Sequence, residues 1–173
     1  MSRCVHLGVD FWLPSKTTVH ALLDGRVVMA LDRKGEKEYG GFVVLEHQID
    51  AMHFYTLYGH LDPESIAAHK VGDALKKDSL IGLLGNKENN GNWAPHLHFQ
   101  ILLDLLDYTE DFPGVQTYQE QDLWADLCPD PNLLFKFEEL KPKLSSYFHY
   151  WCRYWGRSIR CSLSSQGNSF YYL

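Results

Sequence analysis

Short apolar runs separated by turn residues dominate the first hundred positions of the chain. Four of them are rich in Val, Ile, Leu, Phe and Tyr: "GFVVLEHQI" (41–49), "MHFYTLYGHL" (52–61), "LIGLLG" (80–85) and "HLHFQILLDLL" (96–106). Short runs with turn residues at nearly regular spacing are typical of an antiparallel sheet or sandwich. The pattern over residues 5–104 therefore predicts a mostly β domain.

Turn and helix signals in this region are few. "VHALLDGRVVMAL" (19–31) has two apolar runs around Asp24–Gly25, a dipeptide typical of tight hairpin turns, and therefore predicts a hairpin. Asp50 and Ala51 separate the next two runs. "DPESIAAH" (62–69) carries an early proline, Pro63, as the first turn of a helix tolerates, and predicts one helical turn.

The pattern changes beyond Asp107, where helical spacing replaces the short apolar runs. "QEQDLWADL" (119–127) predicts a short helix, which the prolines of "CPDPN" end. From Lys141, apolar residues at helical spacing predict a second helix that stops near Gly156: Leu144, Phe148, Trp151 and Trp155. We expect a β domain over 1–110, an extension packed on it over 111–140, and a basic aromatic tail over 141–173 that would begin a further domain.

Composition and charge narrow the class of protein. The 173 residues, 45% hydrophobic and 14% aromatic, are typical of a folded globular chain with a sizeable core. A net charge of −6 argues against nucleic acid as the partner. The four cysteines form no CxxC pair, and no apolar run is long enough to span a membrane. The start, "MSRCVHLGVDFW", lacks the pattern of an export signal, so we expect a cytoplasmic location.

Three short segments combine residues that can bind a metal ion and move protons. "HLGVD" contributes His6 and Asp10, "YGHL" contributes His60, and "HLHF" contributes His96 and His98. Alternate residues of a strand share a face. In an extended chain, His6 and Asp10 would therefore share one face, and so would His96 and His98. A catalytic zinc ion uses three protein ligands, and imidazole is suited to proton transfer near neutral pH. One carboxylate and four histidines therefore supply three ligands and leave two histidines, or else form a set of polar groups at strand ends.

These three motifs, in this order and at these separations, resemble the lysostaphin-type (LytM-like) zinc metallopeptidases. The similarity extends over residues 5–104 through "VHALLDGRVV", "YGGFVVLEH" and "VGDALKKDSLIGLLG". The resemblance implies an antiparallel sandwich of the duplicated-hybrid-motif kind with a short helical C-terminal extension. It implies one Zn²⁺ ion held by His6, Asp10 and His98. It makes His60 and His96 the catalytic histidines, which handle the proton and the developing negative charge.

Some features depart from the usual family pattern or narrow it. Only five residues precede His6, where family members have a strand and a loop, and Asp78 stands where glycine is common. The segment 111–134 resembles metallopeptidase domains of large bacterial proteins that lie between a phosphotransferase-like domain and a class-III aminotransferase. That narrower resemblance implies a cytosolic role, an association with an aminotransferase, and a chain that is part of a longer protein.

The expected function is zinc-dependent hydrolysis of peptide bonds, with peptidoglycan stem peptides or cross-bridges as the substrate that the resemblance favours. Two alternatives stay open. One is a cytosolic amide or peptide hydrolase acting on a small substrate linked to aminotransferase metabolism, and the other is a non-catalytic peptide-binding module. The asparagine-rich loop 85–92 could line a peptide groove or simply connect two strands.

The remaining histidines are interpreted as structural or exposed. They are His20, His47, His53, His69 and His149. His47 and His53 belong to strands expected near the site and are the most plausible exceptions.

Overall fold

A six-stranded antiparallel sheet forms the centre of the fold in the computed structural model, which describes residues 3–137. Its strands in spatial order are β2 (Val9–Phe11), β9 (Leu97–Leu102), β6 (Met52–Leu61), β5 (Gly40–Ile49), β4 (Gly25–Arg33) and β7 (Ala74–Leu75). Two smaller antiparallel pairs accompany it: β1 (Arg3–His6) with β10 (Val115–Thr117), and β3 (Thr18–His20) with β8 (Leu80–Leu83). The predicted mostly β antiparallel fold is confirmed.

Apolar side chains cover both faces of the main sheet. In β5, Val43 and Leu45 point into one core, whereas Phe42 and Val44 point into the other, as the alternation of a strand requires. All four are fully buried, and each such side chain contributes roughly 1.5–3 kcal/mol by leaving water. Burial on both faces explains why the central strand is almost continuously apolar.

The hairpin predicted at Asp24–Gly25 is wrong. β3 pairs with β8, whereas β4 pairs with β5 and β7, so the two apolar runs belong to different sheets. The carboxylate of Asp24 instead accepts hydrogen bonds from Lys77 N and Lys76 Nζ, both at 2.8 Å. A tight hairpin does form at Asp50–Ala51, which joins β5 to β6.

Helices are few and short. The predicted turn near Pro63 is α1 (Pro63–Ile66), capped by Asp62, whose side chain accepts a hydrogen bond from Glu64 N. The short helix predicted over 119–127 is confirmed. It consists of a 3-10 turn (Tyr118–Glu120) continued by α2 (Gln121–Leu127). A further short helix, α3 (Asn132–Phe135), was not predicted. Within residues 3–137 no helix has the length and apolar character needed to cross a bilayer.

Residues 111–137 contact both cores and the N-terminal strand. Phe112 and Trp124 pack in the same core as Phe42, while Leu134 packs in the opposite one. β10 pairs with β1, and Leu7 N donates to Gly114 O at 2.9 Å. The first strand is therefore held by a partner strand that lies 109 to 114 positions later in the chain. The division into three parts stays a prediction, and the helix expected beyond Lys141 and the tail 141–173 lie outside the described residues.

Candidate metal centre

Strand pairing brings the three histidine-containing segments to one end of the main sheet. Asp10 of β2 lies opposite His98 of β9, and His98 lies opposite Gly59 of β6. His60 follows Gly59 directly, and His96 lies one residue before β9 begins. All five predicted site residues therefore meet, although no two of the three segments are close in the sequence.

An extended segment from His6 to Asp10 would place both side chains on one face, but the segment is not one continuous strand. β1 ends at His6, the chain bends at Leu7–Gly8, and β2 begins at Val9. A Cβ atom at Gly8 would overlap the carbonyl oxygen of Phe99 and lie 2.9 Å from His98 Nε2. Glycine is required there because the bend must pass close to β9, and this bend turns the His6 ring toward Asp10.

Three donor atoms form a nearly equilateral triangle. His6 Nε2 lies 3.0 Å from His98 Nδ1, and Asp10 Oδ1 lies 3.2 Å from each of these nitrogens. Zinc bonds of about 2.0–2.1 Å in tetrahedral geometry separate two ligand atoms by about 3.3 Å. Among residues 3–137, His6, Asp10 and His98 are the one group of three such donors close enough together to hold a metal ion. The donor set and its spacing fit a catalytic zinc site.

Charge and burial prepare Asp10 for a cation. Burial by itself would raise the pKa of Asp10, but its contacts with the His6 and His98 rings lower this pKa well below its usual value. The carboxylate is therefore ionised at neutral pH. His98 is 3% exposed, whereas the His6 side chain is 40% exposed, so the cluster opens to solvent on the His6 side.

His60 and His96 lie beside this triangle with their ring centroids 4.3 Å apart. His60 Nδ1 donates to Asn90 O at 3.1 Å, and His96 Nδ1 donates to Ala94 O at 2.7 Å. With Nδ1 protonated, Nε2 of each neutral ring is a proton acceptor. His96 Nε2 lies 3.8 Å from Asp10 Oδ2, at the edge of the triangle of donor atoms.

The surroundings keep both of these rings neutral at neutral pH. Burial, followed by the neighbouring His96 and His98, lowers the pKa of His60 to about 3. Burial also lowers the pKa of His96, against the opposing effect of the hydrogen bond to Ala94. Two neutral imidazoles next to a candidate metal site can accept protons, and this unprotonated form is the one that base catalysis needs.

The loop 86–93 positions His60, a role that the sequence did not reveal. Asn90 is fully buried and its carbonyl accepts the His60 hydrogen bond. Asn89 Nδ2 donates to Asp62 Oδ1 at 3.2 Å, which ties the loop to the cap of α1. Gly40, at φ +64°, lets the chain pass so close that a Cβ atom would overlap Asn89 O. No local pattern predicts contacts between such distant segments.

Two half-exposed tryptophans flank the histidine pair. The Trp12 ring lies 4.6 Å from that of His96, and the Trp93 ring lies 6.3 Å from His96 and 6.4 Å from His60, measured between centroids. Both indoles are just under two-fifths exposed. They form apolar walls at the opening of the site. The sequence pattern did not reveal them because neither belongs to a metal-binding motif.

His60 has a left-handed backbone at φ +62°, which is strained for a residue with a Cβ atom. We therefore expect His60→Gly to be more stable than His60→Ala by about 1 kcal/mol, measured by urea unfolding. His53 provides the matched control, because it is exposed on the same strand and is not among the positive-φ residues. There we expect His53→Ala to be more stable than His53→Gly. An alanine variant at residue 60 as stable as the glycine variant would contradict the strain.

Among the other histidines, His47 lies on β5 and takes no part in the triangle of donor atoms. Its Nδ1 contacts Asp24 O at 2.8 Å and its Nε2 contacts Thr56 Oγ1 at 2.7 Å, so both nitrogens are used in the core. His53 is exposed and lies 3.8 Å from Glu46. Neither joins the site, although the sequence marked them as the most plausible exceptions.

Comparisons with known proteins place the chain in a family. A family model described as peptidase family M23 matches residues 4–107. The chain is 35% identical over 138 residues to lysostaphin from Staphylococcus simulans, covering 76% of this chain and 26% of that protein. It is 38% identical over 98 residues to glycyl-glycine endopeptidase ALE-1 from Staphylococcus capitis, covering 55% and 24%.

A solved structure gives a similar match. The catalytic domain of lysostaphin from Staphylococcus simulans superposes with a TM-score of 0.48 at 28% identity, covering 69% of this chain and 79% of that one. The chain spans about a quarter of the length of the curated relatives it matches. Because the family model covers more than half of its residues, this chain belongs to peptidase family M23.

Proposed function

We propose that this chain is a zinc-dependent endopeptidase that hydrolyses peptide bonds in bacterial peptidoglycan. The observation that carries the proposal is the triangle of His6, Asp10 and His98 donor atoms with two proton-accepting imidazoles beside it. The relatives named lysostaphin, glycyl-glycine endopeptidase and DD-carboxypeptidase/endopeptidase support a peptide substrate of cell-wall type.

His6 Nε2, Asp10 Oδ1 and His98 Nδ1 would hold the metal ion. When bound, a zinc ion supplies a Lewis acid that polarises a carbonyl group and makes water more acidic. Three protein ligands, two of them neutral, leave the site with net positive charge. That charge favours the negative charge that develops on a peptide carbonyl during hydrolysis.

His60 and His96 would move the proton. Each presents an unprotonated Nε2 because its Nδ1–H is engaged by a backbone carbonyl, that of Asn90 or Ala94. Such a ring takes a proton from the attacking water and, as imidazolium, returns it to the departing amine. Trp12 and Trp93 would exclude bulk water from the same space and orient the substrate chain.

The test is digestion of isolated peptidoglycan by the full chain, followed by mass spectrometry of the released fragments. We expect fragments that identify one bond type with the zinc-loaded protein, no release after treatment with a chelator, and recovery when zinc is returned. Zinc bound at the site without any release would contradict peptidoglycan as the substrate.

The segment 111–134 supports a narrower proposal, an association with a class-III aminotransferase and a small amide or peptide substrate in the cytoplasm. An aminotransferase reading frame next to this one, and co-purification of the two products, are the expected results. Independent genes and no association would remove this alternative.

A further inference from the structure

Gln100 is a fully buried polar residue two positions after His98 on β9. Its Oε1 lies 3.0 Å from His98 Nε2. Its Nε2 donates to Pro113 O at 3.3 Å and to Cys128 Sγ at 3.2 Å. A single amide thus connects a metal-binding histidine with the segment 111–137.

The acceptors on the extension decide which way this amide points. The amide nitrogen has two hydrogens and finds two acceptors, so a reversed amide would set Oε1 against the carbonyl oxygen of Pro113. Gln100 Oε1 therefore faces His98 and accepts its Nε2–H. That proton leaves the Nδ1 lone pair of His98 directed at His6 and Asp10.

The extension holds these acceptors in place through its own packing. Phe112, next to Pro113, is fully buried, and its ring lies 5.9 Å from that of Trp124. Cys128 N donates to Trp124 O at 2.7 Å. Burial raises the pKa of the Cys128 thiol to about 12, so the sulfur stays a neutral thiol.

We propose that Gln100 is a positioning residue for the metal centre, oriented by Pro113 and Cys128 of the extension. This inference rests on the metal site of the proposed function. Without Gln100, the acceptors near the His98 ring lie on its Nδ1 side, where the charged carboxylate of Asp10 is at 3.2 Å and His6 Nε2 is at 3.0 Å. The ring proton would move to Nδ1, and metal binding would then have to displace it.

The test measures Zn²⁺ affinity of the full chain by competition with a chromophoric chelator. Gln100→Met keeps the size of the side chain and loses the acceptor, and we expect about a 10–100-fold loss of affinity. Gln100→Glu keeps an acceptor oxygen and should stay within a few-fold of the wild type. Gln48→Met, at an exposed glutamine of β5, is the matched control and should change nothing.

The order of the two Gln100 variants separates positioning from packing. A space-filling role would favour methionine, since glutamate sets a carboxylate beside Pro113 O. Cys128→Ala should weaken zinc binding, whereas Cys128→Ser, which keeps an acceptor, should not. The proposal would be overturned if Gln100→Met bound zinc at least as tightly as Gln100→Glu. Unchanged zinc affinity in Cys128→Ala would exclude a role of Cys128 in orienting Gln100.

Nitrogen-15 NMR of the metal-free protein provides a readout that does not depend on zinc. At a pH where the ring is neutral, we expect His98 to be protonated at Nε2 in the wild type and at Nδ1 in Gln100→Met. The same tautomer in both proteins would refute the role of Gln100. If the wild type binds no zinc but its His98 tautomer still differs from that of Gln100→Met, the metal site alone would be refuted.

Discussion

Replacing His60 by alanine is expected to lower the rate of peptide hydrolysis about 10²–10⁴-fold while leaving zinc affinity almost unchanged. His60 Nε2 is not one of the three donor atoms, and the His60 ring centroid lies 6.3 Å from that of His98. Its hydrogen bond to Asn90 O directs the Nδ1 proton away from the site, and burial lowers the pKa of His60, so Nε2 is unprotonated at neutral pH. The variant therefore removes a proton carrier and spares the ligands.

The measurement compares fragment release from peptidoglycan with zinc content, determined on the same protein samples. His53→Ala is the matched control, because His53 is an exposed histidine on the same strand and should keep full activity. Loss of zinc together with activity would identify His60 as a metal ligand. Retention of activity would exclude it as the proton acceptor.

Replacing Asp10 by asparagine is expected to weaken zinc binding by at least about 100-fold. This exceeds the usual loss of metal affinity when a residue that only hydrogen-bonds to a metal ligand is replaced. The change keeps the shape of the side chain and removes the only negative charge among the three donors. At a zinc concentration about 1,000-fold above the wild-type dissociation constant, the metal stabilises the fold by about 4.1 kcal/mol. A 100-fold weaker site loses about 2.7 kcal/mol of that contribution, or roughly 5–10 °C in melting temperature.

Thermal unfolding with and without zinc checks this prediction. Each zinc-dependent increase is measured against the same variant without metal, because removing the charge of Asp10 also weakens its contacts with His6 and His98 in the metal-free protein. Asp32→Asn, at an exposed aspartate of β4, is the matched control and should keep the full zinc-dependent increase. An increase of wild-type size in Asp10→Asn would exclude Asp10 as a ligand.

His6 illustrates the difference between local and long-range information. No local pattern around this histidine indicates which distant segment holds it. The structure pairs β1 with β10 of the extension, which restrains the ring next to Asp10. Asp78, which replaces a glycine common in the family, adopts φ +66°, a conformation that aspartate tolerates better than most residues.

Sequence alone determined the class of fold, most strand positions, two short helices and the five residues that meet at the site. These follow from alternation of apolar residues, turn chemistry and motifs only a few residues long, all of which are local properties. The failed hairpin at Asp24–Gly25 marks the limit of such signals, since turn residues do not specify which strands pair.

Tertiary structure alone decided which nitrogen of each histidine faces the site. His98 bonds to Gln100 on its own strand, but that amide is oriented by residues 13 and 28 positions later, and His60 is oriented by a carbonyl 30 positions away. The left-handed backbone at His60 and the walls formed by Trp12 and Trp93 likewise depend on segments that meet only after folding. Hydrogen-bond direction and ring orientation are set by partners in space, and no periodicity along the chain encodes them.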